Sequence, residues 1–394
     1  MSTGQQAVIV SAARTPMGSF NGAFSSMPSP TLGSRAITEA LARIKLPGEQ
    51  VDEVVMGCVL SAGLGQAPAR QAAIGAGLPH KVEAVTVNKV CGSSLQSVIM
   101  ATRAIALGDA RVIVAGGMEN MTRAPFLLEK ARQGYRLGHG ELIDSLVKDG
   151  LWDVYNQFHM GTAGERCAAA YRFSRQEVDD FALESYRRAR AAITADAFTR
   201  EIVPVEVPQK KGSAIVVTDD EEPNRVDLSR LRQLAPVFQD DGVLTVGNSP
   251  SCNDGAAALV IMAEDEARRL GLRPMARVAG YAGAALAPEW FTIAPIEAIR
   301  RLLLQTGLAI GDIDLFEINE AFSAVSLAIN RELGLDAKKV NVNGGAVALG
   351  HPIGATGARI LTTLLYAMDA RDARRGLAAL CIGGGEALAL LVER

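Results

Sequence analysis

The 394-residue chain lacks the marks of several large functional classes. Its 40 lysines and arginines stand against 43 acidic residues, and the net charge of −3 gives no global field for nucleic acid or an anionic membrane. Any basic site for a phosphorylated ligand must therefore be local. The five cysteines (Cys58, Cys91, Cys167, Cys252 and Cys381) are odd in number, scattered, and form no CxxC pair. That spacing argues against a disulfide framework or a zinc ribbon and for a reducing compartment. No apolar run reads as a bilayer span, residues 7–10 read as a strand rather than a leader, and the C-terminal residues are no peroxisomal tail. A cytoplasmic location is expected. What remains is ordinary for a globular protein: 48% hydrophobic residues, 21% charged, and a length that suggests roughly two to three domains.

Strands and helices alternate along the chain. Residues 7–11 read as a strand, 15–30 as a Gly/Pro/Ser-rich loop, 32–44 as a helix, 51–57 as a strand and 67–75 as a helix. The β-branched run at 85–87 leads into a periodic helix from Leu95, and 111–117 is a further apolar strand. This order predicts a layered α/β fold with a mostly parallel sheet. The last third repeats it: a helix at 296–305, a strand at 312–318, a segment 340–345 echoing Val87-Asn88, a helix through Ile360, Leu361, Leu364, Leu365 and Met368, and a strand ending in glycines at 377–385. Residues 386–392 close that unit as a strand, whereas the matching strand of the first unit, 255–262, arrives only after a long interruption. Two homologous α/β halves account for this economically. The first comprises 1–117 plus 250–270 and is split by an inserted loop domain at 118–249; the second is 271–394. Within the insert, 123–140 reads as a loop and 141–149 as a helix, and Ser174-Arg175-Gln176-Glu177 is a capping box opening another helix.

The first chemical candidate is Val87-Asn88-Lys89-Val90-Cys91-Gly92-Ser93-Ser94-Leu95. Apolar or methyl-bearing residues at 95, 98, 99, 102, 105 and 106 have helical spacing, and Ser93 or Ser94 is expected to cap the helix. Cys91 then lies at the open N-terminal end, where unpaired N–H groups and the macrodipole favour a thiolate near neutral pH. On this stretch alone a buried structural thiol remains an equal alternative. Three other segments carry polar groups on loops. Residues 343–357 are dense in glycine and place His351 before a proline, in the part of the repeat that faces Cys91; its imidazole could take the thiol's proton. Cys381 ends a strand before Gly383-Gly384-Gly385, which can aim backbone N–H groups at a ligand. Asn319-Glu320-Ala321-Phe322 follows a strand at the sheet edge where α/β proteins bind ligands, although Asn319 would also serve as a plain helix cap.

Taken together, these segments resemble the thiolase family, in its short-chain, acetyl-transferring members, along essentially the whole chain. The most specific matches are 343–357, 381–385 and 319–322, supported by Ala12-Ala13-Arg14-Thr15-Pro16, 116–121 and 253–257. The resemblance implies a thiolase-like fold of two homologous α/β/α halves, with the loop domain binding coenzyme A, and a homotetramer built as a dimer of dimers. It implies reversible Claisen condensation of two acetyl-CoA to acetoacetyl-CoA and CoA, with coenzyme A thioesters as substrates and no separate cofactor or metal. By the same resemblance Cys91 is acylated, His351 activates it, and Cys381 moves the proton at the α-carbon of the second substrate. A water held by Asn319, with His351, forms one oxyanion hole; the backbone N–H groups of Cys91 and Gly383 form the other. His159, Met160 and Phe322 are carried over to the acyl and pantetheine tunnel, and Arg225 to a phosphate contact. Pro250 stands where many relatives have a serine, so Ser249 or Ser251 is expected to replace it, and Glu386 stands where Met or Gly is frequent. The nearest rival is a broader-range degradative 3-ketoacyl-CoA thiolase. A ketoacyl synthase would need a second histidine where Cys381 stands, a non-catalytic CoA-binding relative would lack one of the three side chains, and a zinc site on Cys91, His351 and Cys381 would block the nucleophile.

Overall fold

The computed structural model describes residues 4–394. In the first half, strand β1 (Ala7–Arg14) is followed by helix α1 (Ser29–Arg43), β2 (Glu53–Gly57), α2 (Pro68–Gly75), β3 (Glu83–Val87), α3 (Ser93–Leu107) and β4 (Val112–Asn120). The insert contributes α4 (Met160–Tyr171) and α5 (Arg175–Thr194), after which β5 (Asn253–Ala263) completes this half. The second half runs β6 (Ala276–Ala285), α6 (Ala294–Thr306), β7 (Leu315–Ile318), α7 (Ser323–Leu333), α8 (Thr356–Ala370), β8 (Arg375–Ile382) and β9 (Glu386–Glu393).

Hydrogen bonding orders the strands β7-β8-β9-β6-β1-β5-β4-β2-β3. Within the sheet, the two halves meet through a short β1–β6 pairing at Val8–Arg277 and Ile9–Ala276. On either side of that joint the order is the same, with β1, β5, β4 and β2 answered by β6, β9, β8 and β7. Even the last position has its echo: β3 pairs parallel with β2, and Val340 makes an isolated parallel bridge to Phe316 in β7. The expected mostly parallel sheet is corrected to a mixed one. Only β2–β3, β2–β4 and β7–β8 are parallel, because the strand closing each half returns antiparallel beside its neighbour.

That closing pair also explains the insert. In the second half β8 and β9 form a hairpin joined by Gly383, Gly384 and Gly385; in the first half the equivalent neighbours β4 and β5 are joined by residues 121–252. The insert is fastened by buried charge. Arg14, at the end of β1, donates to Glu201 (2.5 Å) and in bidentate fashion to Asp220 (2.7 and 2.9 Å), all three fully buried. Glu201 also accepts from Thr363 of α8 (3.0 Å), so the insert touches both halves through one carboxylate. Its helix α5 begins with the expected capping box at Ser174 and Glu177. The helix expected at 141–149 is found only in part: a two-residue strand, Ile143–Asp144, comes first, and the helical stretch is a single π-helical turn at Leu146–Leu151.

Three apolar layers separate the elements. One cluster unites α3, α8 and the inward faces of both sets of strands; a second packs α1 and α2 outside the first set; a third packs α6 and α7 outside the second. Residues 90–107, which include α3, are long and apolar enough to cross a bilayer, with mean hydropathy 1.3, contrary to the expectation from sequence. Their apolar side chains are spent on the central cluster, where Leu95, Val98, Ile99 and Ile105 are buried.

The serines at the start of α3 do not cap it. Gly92 is the N-cap residue and makes no side-chain bond; Ser93 accepts from Lys89 N–H (2.9 Å) and donates to the Val90 carbonyl (2.6 Å), closing the turn that carries Cys91. Ser94 reaches across the joint and accepts from the Ala358 N–H (2.9 Å), within the first turn of α8. It caps the helix of the other half. Ser94→Ala leaves that buried N–H unpaired, so the variant is expected to lose about 1–3 kcal/mol in urea unfolding, the cost of an orphaned buried donor.

Candidate active site

Cys91 occupies a turn that the backbone enters under strain. Val90 has φ +46°, in the left-handed region that a β-branched residue rarely adopts, at a cost of about 1–3 kcal/mol. The turn lifts Cys91 to the wall of a cavity of about 200 Å³ at the joint between the halves. His351, Gly383, His159, Met160, Ser249, Ser251 and Phe322 line the same cavity, so most of the residues singled out in the sequence converge. Cys381 is buried behind it, close enough to Cys91 that a charge on the Cys91 sulfur opposes its ionisation. Asn319 is also buried, and neither its amide nitrogen nor its amide oxygen finds a partner among the described residues. Arg225 stands apart: it is exposed at the end of a short helix, 3.8 Å from Glu221, and does not line the cavity.

The local bonds fix the state of His351. Its Nδ1 lies 2.7 Å from Thr356 Oγ1, which is itself 2.8 Å from the Pro352 carbonyl. Two oxygens at that separation need a proton between them, and only the threonine can supply it. Thr356 must then accept from His351, which places the imidazole proton on Nδ1 and leaves Nε2 a bare acceptor. Burial, reinforced by the positive Arg359, lowers the imidazole pKa from 6.5 to about 3, so the ring is neutral. The backbone is held as firmly. The His351 N–H donates to Asn253 Oδ1 (2.8 Å), an atom that also accepts from Ser251 (2.9 Å), while the Asn253 amide donates to the Gly18 carbonyl (2.9 Å). Gly350, at φ +96°, has no side chain because a Cβ there would come within 2.4 Å of Asn253.

The thiols are neutral too, which corrects the sequence expectation. Burial raises the Cys91 pKa to about 11, and the nearby Glu119 adds to this; the N–H groups of Gly383 and of Cys91 itself oppose it without prevailing. The helix N-terminus therefore supplies donors but does not make a resting thiolate. Burial likewise pushes the Cys381 thiol well above its ordinary value, and the neighbouring Cys91 pushes it further.

Several residues not picked out individually in the sequence complete the site. Glu119, at the end of β4, is buried and accepts from the N–H groups of Val59 (3.0 Å), Leu60 (3.1 Å) and Gly354 (2.9 Å), tying the His351 loop to the first half. Burial raises its pKa to about 7 against those three donors. Phe238 stacks on His159 at 5.2 Å and meets Phe322 edge-on at 5.8 Å, and Phe291 closes another part of the wall. His159 Nδ1 accepts from Gly161 N–H (3.1 Å), which directs its remaining proton to Nε2. Glu119 and Asn253 fall within segments that carried the resemblance, but Phe238 sits in an irregular stretch and Phe291 in a short kinked 3₁₀ helix, neither with a legible periodicity.

A cysteine and a neutral imidazole thus line one cavity where two like α/β halves abut, with backbone N–H groups aimed at the sulfur, an arrangement suited to an acyltransferase. Residues 7–265 match the model of the thiolase N-terminal domain and residues 272–394 that of the thiolase C-terminal domain. The chain is 51% identical to the acetyl-CoA acetyltransferase of Pseudomonas aeruginosa over 391 residues, covering 99% of this chain and 100% of that one. It is 51% identical to the acetyl-CoA acetyltransferase of Escherichia coli, covering 98% of each. The crystal structure of the Bacillus anthracis acetyl-CoA acetyltransferase superposes with a TM-score of 0.97 at 39% identity, covering 100% of both chains. The chain belongs to the thiolase family and has its fold, two homologous halves with a loop domain inserted in the first.

Two measurements test this account of the site. With both thiols raised and the imidazole lowered, the difference in thiolate absorbance between the wild type and Cys91→Ala should stay flat between about pH 5 and pH 9. A thiolate–imidazolium pair would instead give a step. Thr356→Val removes the acceptor that fixes the tautomer; kcat should fall about tenfold to a hundredfold, part of the roughly 10²–10⁴ that a general base supplies, with KM little changed. Thr356→Ser should restore it.

Proposed function

We propose that the chain catalyses the reversible Claisen condensation of two acetyl-CoA to acetoacetyl-CoA and CoA through an acyl-Cys91 intermediate. The carrying observation is that Cys91 lines the same cavity as a His351 whose tautomer leaves Nε2 free to accept a proton. The names of the full-length relatives support the substrate.

The steps balance most simply in the thiolytic direction. Cys91 Sγ attacks the β-carbonyl of acetoacetyl-CoA while its proton passes to His351 Nε2. The C–C bond breaks, leaving acetyl on Cys91 and the enolate of acetyl-CoA, which takes the Cys381 proton at its α-carbon. A second coenzyme A thiol gives its proton to the Cys381 thiolate and attacks acetyl-Cys91. The departing Cys91 thiolate recovers its proton from His351. Every step reversed gives condensation, and the neutral resting state of both cysteines suits each as a proton source. Charge develops successively on two carbonyl oxygens. We assign one to the N–H groups of Cys91 and Gly383, and the other to His351 with a water held by Asn319, whose amide bonds no other described group. Ser249, with a buried hydroxyl that has no partner among the described residues, is the better pantetheine contact; the Ser251 hydroxyl is committed to Asn253. His159, Met160 and Phe322, with Phe238, leave room for a short acyl chain. Arg225 is assigned to the phosphate end of coenzyme A, outside the cavity.

We also infer a cytoplasmic homotetramer that needs no cofactor beyond its thioester substrates. The free cysteines support the compartment, and the exposed Phe126, Leu137 and Leu142 of the insert support contact with another copy. Brief incubation with acetyl-CoA should add one acetyl group, located on Cys91 by peptide mass spectrometry. Cys91→Ser should gain none, whereas Cys381→Ala should still be acetylated yet form no acetoacetyl-CoA. Acetylation of Cys91→Ser at the wild-type rate sinks the proposal, and faster turnover of a longer 3-ketoacyl-CoA than of acetoacetyl-CoA sinks the short-chain assignment.

A further inference from the structure

The two backbone donors aimed at the Cys91 sulfur come from different halves of the chain. One belongs to the strained turn 89–93, closed by Gly92 N–H to the Lys89 carbonyl (3.0 Å) and by Lys89 N–H to Ser93 Oγ (2.9 Å). The other belongs to the β8–β9 hairpin, whose Gly384 and Gly385 have φ +93° and +95°. The turns pack face to face, since a Cβ on Gly92 would come within 2.4 Å of the Ile382 side chain. Yet no backbone–backbone hydrogen bond joins them among the described residues. One side-chain bond does: Lys89 Nζ donates to Glu386 Oε2 at 2.6 Å across 297 residues of sequence. Lys89 is two residues before the nucleophile. Glu386 is the first residue of β9, paired with Ile382, and so fixes the far end of the glycine turn.

We propose that the Lys89–Glu386 ion pair is a clasp that sets the spacing between the Cys91 and Gly383 N–H groups, making both side chains positioning residues for the reaction. The geometry favours position over stability as its effect. Lys89 is 26% and Glu386 41% exposed, and exposed ion pairs contribute only about 0–1 kcal/mol to folding. A three-glycine turn, however, has wide backbone freedom, and catalytic donors act only when held in place before charge develops. The inference rests on the thiolase reading of the site.

Glu386→Gln, Lys89→Met and the double variant test it. Each single change should lower kcat for acetoacetyl-CoA thiolysis about tenfold, short of the roughly 10²–10³ seen when an oxyanion donor is removed outright. KM and melting temperature should hardly move. The double variant should be no slower than either single one, because both break the same contact. Added salt should lower the wild-type kcat and leave that of Glu386→Gln flat. Amide hydrogen exchange in the peptide spanning 382–388 should accelerate in every variant. Unchanged kcat in the single variants, or a double variant whose loss is the product of the two, overturns the clasp. A wild type without thiolysis overturns the enzymatic reading instead, while hydrogen exchange still reports whether the pair holds the turn.

Discussion

The site depends on how closely α3 and α8 pack in the central layer. A Cβ on Gly357 would stand 2.5 Å from the Leu95 N–H, so the first turns of the two helices touch with nothing between them. Ser94 then reaches Ala358, and each helix start becomes part of the other's surroundings. Cys91 precedes one helix by two residues and His351 precedes the other by five. Bringing the helix starts together is therefore what brings thiol and imidazole to one cavity. No insert is needed for that contact, which follows from duplicating one α/β unit and burying the same helix from each copy.

Polar groups hold the loops at this joint because apolar packing cannot orient them. Glu119 gathers three N–H groups from two loops, Asn253 gathers the His351 N–H and the Ser251 hydroxyl, and Glu320 accepts from Ser185 (2.7 Å), Asn341 (2.9 Å) and the Val347 N–H (3.0 Å). A buried carboxylate is costly unless donors surround it, and removing one donor leaves a charge without compensation. The direct payoff is geometric rather than energetic: each carboxylate or amide defines the relative position of chain segments far apart in sequence. Glu201 shows the same logic on a larger scale, tying the insert to Arg14 and to Thr363.

Much of this was legible in the sequence, and the gaps have physical causes. Helical periodicity and glycine-ended strands revealed the repeat, and the order of strands about the β1–β6 joint bears that repeat out. Strand direction was not legible, because an apolar strand buried on both faces reads alike whether its neighbour is parallel or antiparallel; β5 and β9 are such strands. Local rules also mis-assigned the serines. Ser93 and Ser94 suited an N-cap by type, but tertiary contacts turned one into the closure of a strained turn and the other into a cap in trans. The cavity walls were the least legible part. Phe238 and Phe291 carry no pattern, and only the fold brings them beside Phe322.

The protonation states invert the usual expectation for a cysteine at a helix start. There the macrodipole and free N–H groups should favour the anion, and in an open site they do. Here burial outweighs them, and Glu119 adds a nearby negative group. His351 cannot redress the balance in the resting state, since Arg359 and the same burial keep it neutral. An ion pair at this joint would have to be made at the expense of desolvating both charges. Under the proposed mechanism, the charge that leaves the sulfur does not stay there: it moves to a carbonyl oxygen facing fixed donors as the proton moves to Nε2. Neutral partners beside preset N–H groups thus favour the state in which substrate is being attacked over the one in which the enzyme waits.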